Sequence, residues 1–385
     1  MECRRLDLRE YTIAWLCALP VELSAAQILL DQTHARLPYD SNDDTQYTVG
    51  SIGDHNVVIG CLSAGQIGMG SAATVATRMR AKFPNLRFGL MVGVGGGVPG
   101  SEDVRLGDVV VSQPYADRGG VIQYDFGKSE SGRFIHTGFL SAPPQALLQA
   151  LSHLQALHFR ENNIATHLAV VEMHANFGRP RPESDVLFKP TYDHIRGEKT
   201  CEKCDRSETM ERKPREVNHV FVHYGTIASG NRVIKDAKER DSLSSKFRGV
   251  LCFEMEAAGL LNNWPCLVIR GICDYADSHK NDEWKPYAAG VAAAYAKELL
   301  LSIVAAVVRE MWTIVEPAAT ISQNVAGGVT PRTLPEGEPG MAGRRADPEI
   351  VRQEREGLLR EQTRNQGREF TPQNVPYGMD LETWS

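Results

Sequence analysis

The chain has 385 residues, 42% of them hydrophobic and 23% charged, which gives room for one large domain or two small ones. That balance excludes collagen, a wholly disordered chain and a disulfide-stapled miniprotein. A formal net charge of -6 gives no electrostatic case for nucleic acid as the main partner.

Residues 1–10 mix acidic and basic side chains, which is not a signal-peptide pattern, and read as a short leader. Residues 11–19 (YTIAWLCAL) form a β-branched and aromatic run, and residues 21–30 follow with helical spacing. Two strands, 47–52 and 56–62, are joined through Gly53-Asp54-His55, a hairpin signal. Residues 71–83 are helical, and 88–94 (FGLMVGV) form a buried strand that runs into three glycines. Further strands fall at 109–112 and 121–126, and a helix at 143–158. After a polar, Pro-containing insertion over 176–217 come a strand (219–229), a helix (232–243), a strand (265–272) and a long helix (288–311). The repeated strand-to-helix order, with strands buried on both faces, predicts an α/β fold with a largely parallel or mixed sheet. Residues 316–385, rich in Gly, Pro and charge, bury too little apolar surface to offset their ordering entropy and are expected to be a mostly disordered tail. The globular part is therefore expected at 11–312.

Most of the eight cysteines lie in apolar runs (Cys17, Cys61, Cys252, Cys266), as buried thiols in a reducing compartment would. The apolar run 303–308 is far short of the roughly 20 residues a membrane span needs. A cytoplasmic protein without a membrane partner is expected.

Four segments carry chemistry. In MVGVGGGVPG, Gly95, Gly96 and Gly97 follow a buried strand, as a loop beneath a sugar, phosphate or base would. The spacing fits neither GxGxxG nor the P-loop. In CFEMEAAG, Glu254 and Glu256 flank Met255; a carboxylate suits a ribose diol and a methionine the face of a sugar or base. In LVIRGICDYADS, a strand delivers Asp274 to its C-terminal end, where α/β sheets place ligand chemistry and where an aspartate could protonate a leaving heterocycle. In ALPVELSAA, Glu22 follows the first strand and Pro20 opens the helix. Taken singly, each has a plainer reading: a tight turn, first-turn acids, an Asx-turn.

Together and in this order, ALPVE, VGVGGGV…RLGDVVVS, IASGNRVIKD, CFEMEAAG and LVIRGICDYADS resemble the purine nucleoside phosphorylase, uridine phosphorylase and methylthioadenosine nucleosidase superfamily, in particular its fungal branch. The resemblance covers residues 11–311. It implies a central twisted mixed sheet, partly closed like a barrel and flanked by helices. It also implies cleavage of a ribosyl N-glycosidic bond with no organic cofactor, phosphate entering only as a co-substrate if the enzyme is a phosphorylase. By the same resemblance Glu256 grips the ribose hydroxyls, Met255 packs beside the sugar, Asp274 meets purine N7, and Gly95 and Gly96 lie under the ribose. The nucleophile is decided by charge. Phosphorylases place an arginine after the first strand, whereas Glu22 stands here; a carboxylate repels phosphate and can deprotonate water. Hydrolysis is preferred over phosphorolysis, with Arg105 and Arg133 left as phosphate ligands for the alternative. A further alternative is a nucleoside-binding sensor or effector of fungal immune-receptor type. A homo-oligomer with a small-molecule nucleoside or nucleotide is expected.

Two further features stand apart. Phe177 could stack on a base, although a loop aromatic is more often a packing anchor. Cys201 and Cys204 (CEKC) have the spacing of half a zinc site, but no second CxxC follows, and His219 and His223 read as surface or core histidines, so no metal is expected. The helix 288–311, apolar on nearly every side in its second half, points to burial or a subunit interface.

Overall fold

The computed structural model describes residues 4–100, 102–215, 220–311 and 313–314. The expected tail and His219 lie outside the described residues. The leader forms a 3-10 turn at Leu8–Glu10, capped by Asp7, and Leu6 and Leu8 pack on the core.

Strand β1 (Ile13–Cys17) is buried at every position and leads into helix α1 (Pro20–Ile28), with proline in the first turn where its missing N–H costs nothing. After a two-residue strand β2 (Gln32–Thr33), strands β3 (Tyr47–Ile52) and β4 (His55–Cys61) form the expected hairpin, with Gly53 in the left-handed region at φ 52°. Helix α2 (Met69–Lys82) returns to β5 (Phe88–Gly97). Short strands β6 (Val109–Ser112) and β7 (Val121–Gln123) follow, then an exposed hairpin of β8 (Gly127–Glu130) and β9 (Arg133–His136). Helices α3 (Gln145–His158) and α4 (Ile164–Glu172) precede the insertion, and β10 (Val222–Ser229), α5 (Ala237–Lys246), β11 (Val250–Glu254), β12 (Cys266–Asp274), α6 (Lys285–Leu301) and α7 (Ala305–Glu310) complete the chain.

The main sheet runs β11-β10-β6-β12-β5-β1-β4-β3-β2, and an additional pairing of β11 with β5 closes its first five strands into a ring. Most pairings are parallel, while β11–β5 and β12–β6 are antiparallel, so the sheet is mixed and barrel-like as expected. Closure brings three strand ends together: Gly96 pairs with Asp274 of β12 on one side and Phe253 of β11 on the other.

Several boundaries differ from the sequence reading. The glycine triplet is the end of β5 rather than a loop, and none of Gly95, Gly96 and Gly97 has positive φ. The predicted helix 232–243 starts only at Ala237, because Asp236 caps it by accepting from the Lys238 and Glu239 amides; residues 232–236 are left as loop. The long C-terminal helix breaks between Leu301 and Ala305, where the Ile303 carbonyl meets His55 Nε2 at 2.9 Å. Its first part, α6, is buried along nearly its whole length against β12 and β5, so core packing explains its apolarity. Among the described residues no helix is long and apolar enough to cross a membrane. The insertion folds back on the domain through four 3-10 turns, burying Leu187, Phe188 and Cys204.

Candidate active site

At the closed end of the sheet lies a cavity of about 360 Å³ whose lining includes Glu22, Gly95, Gly96, Met255, Glu256 and Asp274. Six residues singled out in four separate sequence segments thus meet in one place. Phe177 is not brought to it: this residue is buried in the hydrophobic core beside α4 and α6, the packing role of a loop aromatic.

Glu22 owes its position to the helix start. Its Oε2 accepts from the amides of Ala18 (2.7 Å) and Leu19 (2.9 Å), and its Oε1 accepts from Val94 (2.8 Å). The first-turn acid and the candidate functional acid are therefore the same residue, capping α1 while lining the cavity. Burial raises its pKa, opposed by Arg270 and by the three amides.

Glu256 is buried and its Oε1 accepts from the Gly68 amide at 3.3 Å. Burial pushes its pKa up to about 7, and the charges of Glu254 and Glu22 add to the rise while Arg270 opposes it. Glu254, the other acid of the pair, has a different task. Its carboxylate accepts from the amides of Glu256 (3.1 Å) and Ala257 (3.0 Å), and it is paired with Arg270. It serves as a brace for the turn that presents Met255 and Glu256.

Arg270 is the residue the sequence reading missed. Its guanidinium is buried on β12, contacts Glu254 and lies 3.4 Å from Glu256, with the charge of Glu22 also acting on it. A lone cation inside the apolar run LVIRGI was the signal: it cannot stay buried without carboxylate partners, and three are supplied.

Asp274 lies at the end of β12. Its Oδ1 accepts from the Ala276 amide at 2.9 Å, and its Oδ2 pairs with Lys280 Nζ at 2.6 Å. Burial works against the Lys280 charge, but Asp274 outweighs it and the lysine pKa is raised overall. The glycines are required by this crowding. A Cβ on Gly96 would come within 2.8 Å of Asp274 Oδ1 and 3.0 Å of Ala276 Cβ, and one on Gly95 within 3.1 Å of the Phe253 carbonyl. Gly93, one turn of the pleat earlier, has no room for a Cβ beside the Glu22 carboxylate.

The remaining candidates fall elsewhere. Arg105 is bonded to Asp103 (2.7 Å) and the Lys213 carbonyl (2.6 Å), and Arg133 lies on the exposed β9; neither lines the cavity. The cations that do line it, apart from Arg270 and Lys280, are Arg232, Lys235 and Lys285. His223 pairs with Asp108 at 2.9 Å and is no partner of the CEKC cysteines; His194 is instead the histidine beside them.

A mixed sheet closed over a carboxylate-lined cavity with glycines in its wall defines a class of small-molecule α/β domain. The chain belongs to the phosphorylase superfamily, whose family model matches residues 12–309. It is 48% identical over 299 residues to a nucleotide-binding leucine-rich repeat (NLR)-like protein of Hyaloscypha variabilis, covering 76% of this chain and 29% of the relative. It is 26% identical over 296 residues to the ATP nucleosidase Cap17 of Escherichia coli, covering 74% of this chain and 50% of that protein. The chain thus spans half or less of the length of these relatives. In fold it is similar to a 5'-methylthioadenosine/S-adenosylhomocysteine nucleosidase from Neisseria meningitidis, with TM-score 0.50 and 17% identity over 76% of this chain and 99% of that one.

Proposed function

We propose that this domain hydrolyses the N-glycosidic bond of a purine nucleoside or nucleoside 5'-phosphate, with water as the nucleophile. The observation that carries the reading is the convergence of Glu22, Glu256 and Asp274 on one cavity, with an acid where a phosphorylase needs a cation. As the bond from sugar C1' to the base nitrogen breaks, its electron pair leaves with the base and the sugar becomes oxocarbenium-like. The departing base nitrogen takes a proton relayed through the Asp274 carboxylate from Lys280, whose Nζ lies 2.6 Å away and is reprotonated from solvent. Glu256 accepts from the ribose hydroxyls, and Met255 covers the sugar face. Glu22 takes the proton of the attacking water, and its raised pKa makes it the stronger base for that step.

Arg232, Lys235 and Lys285 line the same cavity and favour a substrate with a 5'-phosphate chain, consistent with a relative that is an ATP nucleosidase. The NLR-like relative favours a second reading, a module that binds such a nucleotide as a sensor. Turnover separates the two. Purified protein is expected to release free base from ATP, adenosine or methylthioadenosine equally well with and without phosphate. Glu22→Gln and Asp274→Asn should each lower the rate by about 10²–10⁴-fold. Binding without base release would leave the sensor reading, and a strict need for phosphate would replace water as the nucleophile.

A further inference from the structure

The CEKC segment is not spent on the cavity. Cys201 opens a 3-10 turn, Cys201–Lys203, that brings the two thiols to the same side, with the Cys204 amide bonded to the Cys201 carbonyl at 3.1 Å. Folding of the insertion adds a third group: ligand atoms of His194, Cys201 and Cys204 all lie within 4.8 Å of one another. In a tetrahedral site with bonds of about 2.0–2.3 Å, ligand atoms stand roughly 3.5 Å apart, so small side-chain adjustments close the set on an ion. His194 Nε2 lies 3.1 Å from the Thr200 carbonyl; an N–H donated there leaves Nδ1 with its lone pair free, the way ligating histidines are commonly oriented.

A second observation points the same way. His279 is 7% exposed, and its Nε2 is buried without a hydrogen-bond partner. Its ring meets that of His194 edge-on with centroids 5.5 Å apart, and Cys201 Sγ lies 3.8 Å from its carbonyl. Asp277 Oδ1 stands 3.8 Å from His279 Nδ1, leaving Nε2 as the free end of the ring.

We propose that His194, Cys201 and Cys204 hold a zinc ion, with His279 the side chain placed to complete the tetrahedron. Two thiolates and imidazole nitrogen are a soft donor set that suits zinc over magnesium or calcium. The ion would be structural. It would staple the insertion to the loop after β12, already joined to it by the His194 amide on Ser278 Oγ at 3.0 Å. That loop carries Lys280, the partner of Asp274.

Elemental analysis of the full chain, purified with its thiols reduced, is expected to give about one zinc per chain. The Cys201→Ser/Cys204→Ser variant should retain under about a tenth of that, whereas Cys61→Ser, outside the cluster, should keep all of it. Exchange with cobalt should produce a thiolate-to-cobalt charge-transfer band in the near ultraviolet. That measurement decides the question on the unaltered chain even if the double variant does not fold. His194→Ala should shift or weaken the band. Folded, reduced protein that holds neither zinc nor cobalt would overturn the proposal. So would a Cys201–Cys204 disulfide in protein isolated without reductant that cobalt cannot occupy after reduction.

Discussion

At the scale of single residues, the site is governed by one buried cation among three buried acids. Glu22, Glu254 and Glu256 crowd around Arg270, and burial raises the pKa of Glu22 and of Glu256 while the arginine's charge opposes the rise. Removing the arginine should therefore cost more than a surface ion pair would. Arg270→Met is expected to lose about 3–5 kcal/mol in denaturant titration, since the acids are left uncompensated. Adding Glu254→Gln should recover a measurable part of that loss, because the pair acts as a unit. Simple additivity of the two single variants would remove the coupling. The acids themselves were legible in the sequence, each standing at a strand end or helix start where chemistry is usually placed. Arg270 was not read, because its meaning depends on partners 14 and 16 positions away that only the fold brings close.

At the scale of elements, the end of β5 is the pivot. A glycine run invites a loop reading, since glycine is permissive of turns. Here the same residues stay extended because β11 and β12 pair with them from both sides and the Asp274 side chain presses on Gly96. Alternation patterns carry no trace of such crowding, whereas the parallel core strands were legible from their unbroken apolar runs. Gly96→Ala tests the distinction. Its Cβ would displace Asp274 by a few tenths of an ångström or more, given contacts of 2.8 Å and 3.0 Å. Base release should drop by about 10²-fold from misplacement of Asp274, and far-ultraviolet circular dichroism should remain that of the native fold. Unchanged turnover would place the crowding away from the chemistry. The loop 232–236 teaches a related lesson. Helical spacing persisted upstream of Asp236, but a capping aspartate ended it and released Arg232 and Lys235 to line the cavity.

At the scale of the molecule, function and stability pull on the same proton. An ordinary glutamate titrates near 4.5, whereas burial holds Glu256 at about 7. Between those values the unfolded chain has released a proton that the folded chain retains, so this residue makes stability fall as pH rises through the window. Its contribution is fully present below the lower value and lost above the upper one. In the proposed reaction, however, the ionised carboxylate is the form that grips the ribose diol, so base release should climb across the same interval. Glu256→Gln removes the titration and leaves the shape. Melting curves of native and variant proteins, taken from about pH 5 to about pH 8, should diverge by several degrees as the native protein loses its advantage. The kcat/KM of the native protein should rise over that range. If the two melting profiles ran parallel, Glu256 would not hold its proton in the folded state, and any rise in activity would have to come from Glu22, whose pKa burial also raises.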